Sequence, residues 1–153
     1  MLNVTLNRRQ IRDAVTGFSK IITGKSSLPV LGCVRLSAKD GEIVAQATDL
    51  NQVLEYRFDS PLVNGAGACI IPLATLKDLA KGGKDEQVEI EAGERIMLVN
   101  HVGGHAVRQT VAGMDLDEWP CLATDMSTQP ALGFLETYRK LVPFSSTDET
   151  RYV

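Results

Sequence analysis

The sequence is short of the ingredients that several function classes need. It has no excess of positive charge: 16 Lys and Arg against 19 Asp and Glu leave a net charge of −3 over 153 residues. Bulk attraction to polyanions is therefore excluded, and any contact with nucleic acid requires basic residues gathered on one face. No stretch approaches the ~20 apolar residues of a membrane span, so no membrane partner is expected. The N-terminus, Met1-Leu2-Asn3-Val4-Thr5-Leu6-Asn7-Arg8-Arg9, lacks the apolar run of a signal peptide. The three cysteines, Cys33, Cys69 and Cys121, are odd in number, far apart and form no Cys-x-x-Cys pair. They fit buried small side chains in a reducing compartment, with the cytoplasm as the expectation, better than a disulfide frame.

The motifs that carry chemistry are also missing. His101 and His105 flank Gly103-Gly104, but two histidines with no nearby cysteine are too few for a typical zinc site. They read as exposed turn residues. Gly24-Lys25-Ser26 matches the end of a phosphate-binding loop, yet Ser19 stands where that loop needs a glycine. The loop also needs a strand before it and a helix after it, and the order here is reversed. No nucleophile, base and orienting acid stand out as a set. No catalytic residue, metal or cofactor is expected.

What is present is a foldable, patterned chain. Hydrophobic residues make up 44% and charged residues 23%, enough for a real core. Leu2 to Leu6 reads as a strand. Asn7 then caps a helix, with Gln10 three residues on as a variant capping box. Apolar residues at Ile11, Val15, Phe18 and Ile22, with Ala14 and Ile21 beside them, have helical spacing. Gly24 suits the C-terminal cap, and Gly17 weakens the helix by ~1 kcal/mol relative to Ala. Strands follow at Val30–Ala38, Glu42–Thr48 and Gln52–Phe58, the first two joined by the hairpin signal Asp40-Gly41.

The pattern then repeats. Ala66 to Ile71 is a strand, and Pro72 opens a short helix with the stripe Leu73, Leu76, Leu79 and Ala80. Gly82-Gly83 ends it. Strands are expected at Gln87–Glu91, Arg95–Asn100 and Ala106–Val111, with turns at Gly93-Glu94 and Gly103-Gly104. The order β-α-β-β-β thus occurs twice, as a repeat of pattern rather than of letters. The fold class expected is α+β, with helices on one face of antiparallel sheets. After a linker, Pro130–Gly133 and the stripe Phe134, Tyr138, Leu141 and Val142 begin a third unit that is not finished. Residues 1–124 are read as one domain. Residues 125–153 are read as a linker and the start of a second, which implies a longer natural protein or a shortened relative.

Each helix has a mostly basic exposed side: Arg8, Arg9, Arg12 and Lys20, with Lys25 in the loop beyond; then Lys77 and Lys81, four apart and so on one face; then Arg139 and Lys140. Acidic residues concentrate at Asp115, Asp117, Glu118 and across Asp85–Glu94. If successive helices line one side, that side is a basic wall that contacts phosphates without reading bases. Ordinary solvated helix faces are the alternative. Composition alone leaves the chain a soluble α+β domain.

Four segments carry a resemblance: Ser27-Leu28-Pro29-Val30-Leu31-Gly32, Ala47-Thr48-Asp49-Leu50, Ile71-Pro72-Leu73 and Asp117-Glu118-Trp119-Pro120. In this order they resemble the beta sliding clamp of bacterial DNA polymerase III, and Phe144–Tyr152 is similar to the start of that family's second domain. The resemblance implies the DNA-clamp (processivity) fold, built from two β-α-β-β-β repeats, and a non-catalytic subunit that encircles double-stranded DNA without regard to sequence. By the same resemblance, Lys25, Arg151 and Tyr152 match DNA-contacting positions. Arg9, Arg12, Lys20, Lys77 and Lys81 are inner-face candidates from the helix reading. Family members grip the polymerase III catalytic subunit and the clamp loader through later domains, so this chain is expected to lack that pocket. Two departures stand out. Asn51 stands where the family usually has Glu. Ala106 and Arg108 stand where a Phe-x-Leu pair often makes the dimer contact, which puts the homodimer ring in doubt for this chain. The alternative reading is a shortened clamp-like interaction module that never encircles DNA.

Overall fold

The computed structural model describes residues 2–22, 27–59, 61–83, 86–102 and 105–121. The chain divides into two compact units, Met1–Cys121 and Leu122–Val153, and the described residues all lie in the first. The Gly24 cap, the Gly103-Gly104 turn and the third unit lie outside the described residues.

The described elements run in chain order as β1 (Leu2–Asn7), α1 (Arg8–Ile21), a 3-10 turn (Pro29–Gly32), β2 (Cys33–Lys39), β3 (Glu42–Thr48), β4 (Val53–Arg57), β5 (Leu62–Asn64), β6 (Gly67–Pro72), α2 (Leu73–Leu79), β7 (Gln87–Ala92), β8 (Ile96–Val102), β9 (His105–Val111) and a second 3-10 turn (Leu116–Glu118). The expected doubled order is there. Its pairing is not what two independent units would give. One sheet has the order β5-β1-β7-β8-β9 and the other β4-β3-β2-β6. Each unit has given its first strand to the other: β1 pairs antiparallel with β7, from Leu2 opposite Ala92 to Asn7 opposite Gln87. In return β6 pairs antiparallel with β2, from Cys33 opposite Pro72 to Ala38 opposite Gly67.

Alternation decides which faces meet. Leu2, Val4 and Leu6 of β1, Leu36 and Ala38 of β2, Ile43, Ala45 and Ala47 of β3, and Val88 and Ile90 of β7 are buried. They join Ile11, Ala14, Val15 and Phe18 of α1 and Leu73, Leu76 and Leu79 of α2 in a single core. Gly17 has a use that its low helix propensity hides. A Cβ there would stand 3.0 Å from Leu54 Cδ2, so its absence lets β4 lie close against α1. The Asp40-Gly41 hairpin forms as its letters predict. Both residues have positive φ, 55° and 82°, as a two-residue type I′ turn requires.

Four expectations need correction. Val30 to Gly32 is not strand: Pro29 opens a 3-10 turn, and β2 starts at Cys33. Proline fixes φ and removes a ladder donor, which favours such a turn over a strand start. The helix ends earlier than Gly24, with Ile22 as C-cap donating its N–H to Phe18. The reciprocal capping box does not form, because Gln10 donates its side-chain amide to the Asp59 carbonyl at 2.9 Å instead. Finally, β5 has no counterpart in the sequence reading; three residues carry too little alternation to announce a strand.

Candidate nucleic-acid interface

Asn7 fixes the start of α1, its side-chain oxygen accepting the Arg9 N–H at 2.8 Å. From there the basic residues part company. Arg9 and Lys20 are exposed on α1, and Lys77 is exposed in the last turn of α2. None of these three makes an ion pair among the described residues. Lys81, also exposed, pairs with Asp78 at 2.7 Å. Both side chains of that pair are mostly in water, so it is worth at most ~1 kcal/mol and leaves the lysine available. Arg9 sits over a cleft that also holds Gln10, Asp13, Tyr56 and Asp59. Burial, then Asp13 and Asp59, push the Tyr56 phenol up, while Arg9 pulls it down.

Arg8 is not on the exposed face, where the sequence reading put it. It is 2% exposed. Its Nη1 pairs with Glu86 Oε2 at 2.6 Å and donates to the Lys81 carbonyl, and its Nη2 donates to Asn100 Oδ1 at 3.2 Å. Arg12 is half-buried and reaches the same place. Its Nε and Nη2 donate to the Ala80 carbonyl at 3.2 and 2.8 Å, and Nη2 also reaches the Gly82 carbonyl at 3.1 Å. Three successive carbonyls just past the C-terminal end of α2, those of its C-cap Ala80 and of Lys81 and Gly82, are thus held by two guanidiniums from α1. Helix carbonyl ends carry partial negative charge, so the pairing is favourable. Gly82 makes room for it. Its φ is +116°, and a Cβ there would collide with the Arg8 guanidinium. The glycine doublet that reads as a helix stop is also the gap through which Arg8 passes.

Lys25, Arg151 and Tyr152, and with them Arg139 and Lys140, lie outside the described residues. The two histidines do not converge on a common site. His101 meets Glu89 at 3.0 Å across β7 and β8, and His105 begins the exposed strand β9. Among the described residues no three His, Cys, Asp or Glu side chains group as a metal site, and no helix is long and apolar enough to cross a membrane. Cys33 and Cys69 are buried, as apolar patterning implied, and Cys121 is exposed. Burial pushes the Cys69 thiol up to about 12. Burial, then Glu118, raises that of Cys33.

The motif residues turn out to be scaffold. Val30 and Leu31 pack with Cys33 and Ile70, and Met114 and Trp119 cover them, so the Leu-Pro and Trp-Pro motifs meet in one small cluster. Asp49 Oδ1 accepts the N–H groups of Asn51 and Gln52 at 2.9 and 2.7 Å. Buried Thr48 donates to the Gln52 carbonyl and accepts from Leu50 N–H, at 2.7 and 2.9 Å. These bonds hold Leu50 at φ +77° in the β3–β4 turn. Asn51 is exposed there. Along β9, at the open edge of its sheet, every residue from His105 to Thr110 is exposed, Ala106 and Arg108 included.

Relatives and neighbours agree on the kind of protein this resembles. The beta sliding clamp of Staphylococcus epidermidis (strain RP62A) is 22% identical over 164 aligned positions, covering 100% of this chain and 43% of its own length. That of Staphylococcus aureus (strain COL) matches at the same identity and coverage. The chain therefore spans less than half of these relatives. Among solved structures, the beta subunit from the DNA polymerase of Streptococcus pyogenes superposes with a TM-score of 0.79 at 16% identity, over 97% of this chain and 41% of the other. The Caulobacter crescentus beta sliding clamp does so at 0.76 and 20%, over 99% of this chain and 41% of the other. At such identities the superpositions show the fold, mixed α and β with antiparallel sheets. The description DNA polymerase III beta subunit, N-terminal domain, fits residues 2–123, and on that match the chain belongs to the DNA polymerase III beta subunit family.

Proposed function

We propose that this chain is an N-terminal portion of a non-catalytic DNA polymerase processivity factor of the cytoplasm, and that it supplies part of a wall facing double-stranded DNA. Residues 1–124 would be the first clamp domain and 125–153 the linker and start of the second. The observation that carries the reading is the pairing of α1 with α2, joined through Arg12, with Arg9 and Lys20 exposed on α1, Lys77 on α2 and Lys81 just beyond its C-cap. Lys25, Arg151 and Tyr152 join this contact set by resemblance. Weak phosphate contacts suit a sliding protein, since base-specific bonds would hold it in one register. Engagement of the polymerase catalytic subunit and the clamp loader belongs, on this reading, to later parts of such a protein.

A second reading, an interaction module that never encircles DNA, is favoured by β9. Its exposed edge has Ala106 and Arg108 at the positions where the resemblance implies a bulky apolar pair, and the exposed Val107 between them is a small apolar seed for a ring contact. Fluorescence anisotropy of two short duplexes of unrelated sequence separates the readings. The wall predicts weak, equal binding to both, falling steeply as salt rises. Binding that is sequence-dependent or insensitive to salt rejects the wall, and no binding at low salt favours the module.

A further inference from the structure

The two arginines that meet the end of α2 do not behave as surface cations. Arg8 is buried, and its Nε has no partner among the described residues. A buried ion pair with an orphaned N–H is weak support for stability, and the best-attested use of such groups is to fix one arrangement over others. Arg12 spends its fork on backbone oxygens of Ala80 and Gly82. The described residues between α2 and β7, 80–83 and 86, gather around these groups. Glu86 pairs with Arg8 and its Oε2 also accepts the Gly83 N–H at 3.2 Å, and the Arg8 N–H donates to the Glu86 carbonyl at 3.0 Å. Asn100, in β8, accepts from Arg8 Nη2.

We propose that Arg8 and Arg12 are positioning residues, a two-arginine lock on the carbonyls of residues 80–82 that sets where α2 and the turn leaving it present Lys77 and Lys81. The inference rests on the wall reading for its effect on DNA, and on geometry alone for the lock. α2 is only seven residues long, too short to hold a helical course unaided. Its N-cap, Pro72, makes no side-chain cap bond. The arginine fork fits two carbonyls at once, which a lysine ammonium on a flexible stem does not reproduce. Removing the fork while keeping the charge therefore separates positioning from contact.

The decisive variant is Arg12→Lys, made in the 153-residue chain and compared with Arg12→Gln, Arg9→Gln and Lys77→Gln. Native-state amide exchange is read at Ala80 and Lys81, whose N–H groups close the end of α2 on Leu76 and Asp78. Exchange there is expected to speed at least ~10-fold in Arg12→Lys, as local opening becomes easier, while Ile11 and Val15 amides stay protected. Unchanged exchange at Ala80 and Lys81 overturns the lock whatever happens with DNA. Against a short duplex, Arg12→Lys is expected to lose affinity severalfold at every salt concentration with the slope of log K against log salt retained. Arg9→Gln and Lys77→Gln should each flatten that slope by ~0.9, one phosphate contact. If Arg12→Lys binds like the parent and Arg12→Gln flattens the slope instead, Arg12 is a contact residue and the positioning role is refuted. If neither Arg9→Gln nor Lys77→Gln moves the slope, the wall fails and the exchange result still decides the lock.

Discussion

The two helices occupy matching places in the repeated order and are built by opposite means. α1 has fourteen residues, a side-chain N-cap in Asn7 and a buried stripe along its length. α2 has seven residues, begins after a proline that caps nothing, and ends in carbonyls held by the other helix. One carries its own stabilising features and the other borrows them. The difference teaches that a repeat of pattern need not be a repeat of energetics, and that the second unit depends on the first for more than its exchanged strand.

Substitutions at four positions probe that asymmetry. Glu86→Gln strikes the borrowed side hardest. It leaves Arg8 buried without its carboxylate and should cost ~3 kcal/mol in urea unfolding; a loss under ~1 kcal/mol would mean that the Arg8 cluster is not what holds the end of α2. Asn7→Ala removes the cap of the self-sufficient helix, for which ~1 kcal/mol is expected. Pro72→Ala deletes no cap bond, and its smaller effect, roughly half as large, should come through a freer unfolded chain. Equal losses at the two caps would erase the contrast. The smallest effect is at Gly17. Alanine gains ~1 kcal/mol in helix propensity but must push Leu54 aside, so Gly17→Ala alone should be near neutral. Measured in a Leu54→Ala background it should become stabilising by ~1 kcal/mol, a coupling that thermal or urea melts of the four chains would expose.

Much of the molecule was legible in the letters, and the illegible parts share a cause. The span of β3 reads correctly at both ends, because alternation and the Asp40-Gly41 turn are local signals. The stripe of α1 is likewise local. Strand exchange is not: nothing within Leu2–Asn7 says that its neighbour will be Gln87–Ala92 rather than Cys33–Lys39, since both offer the same alternating face. The burial of Arg8 was readable in retrospect. It lies three residues before Ile11 and seven before Val15, and so continues the buried stripe, but its charge argued for water more loudly than its position argued against it. Gly82 and Gly83 carried the complementary signal, an opening wide enough for a side chain. Of the proposed phosphate contacts, helix periodicity correctly exposes Arg9, Lys20, Lys77 and Lys81. It could not separate them from Arg12, whose role depends on a loop 68 residues away in sequence.

The exchanged first strands also set a timetable for synthesis. β1 leaves the ribosome before its long partner β7, which begins 80 residues after β1 ends (87 − 7). At ~5–20 residues per second, that is a wait of ~4–16 s with the β7-facing edge of an apolar, alternating segment unpaired. The three-residue β5, made earlier, covers only Asn3 to Thr5 on the other edge, so the waiting edge stays open to pairing with a neighbour on the same message.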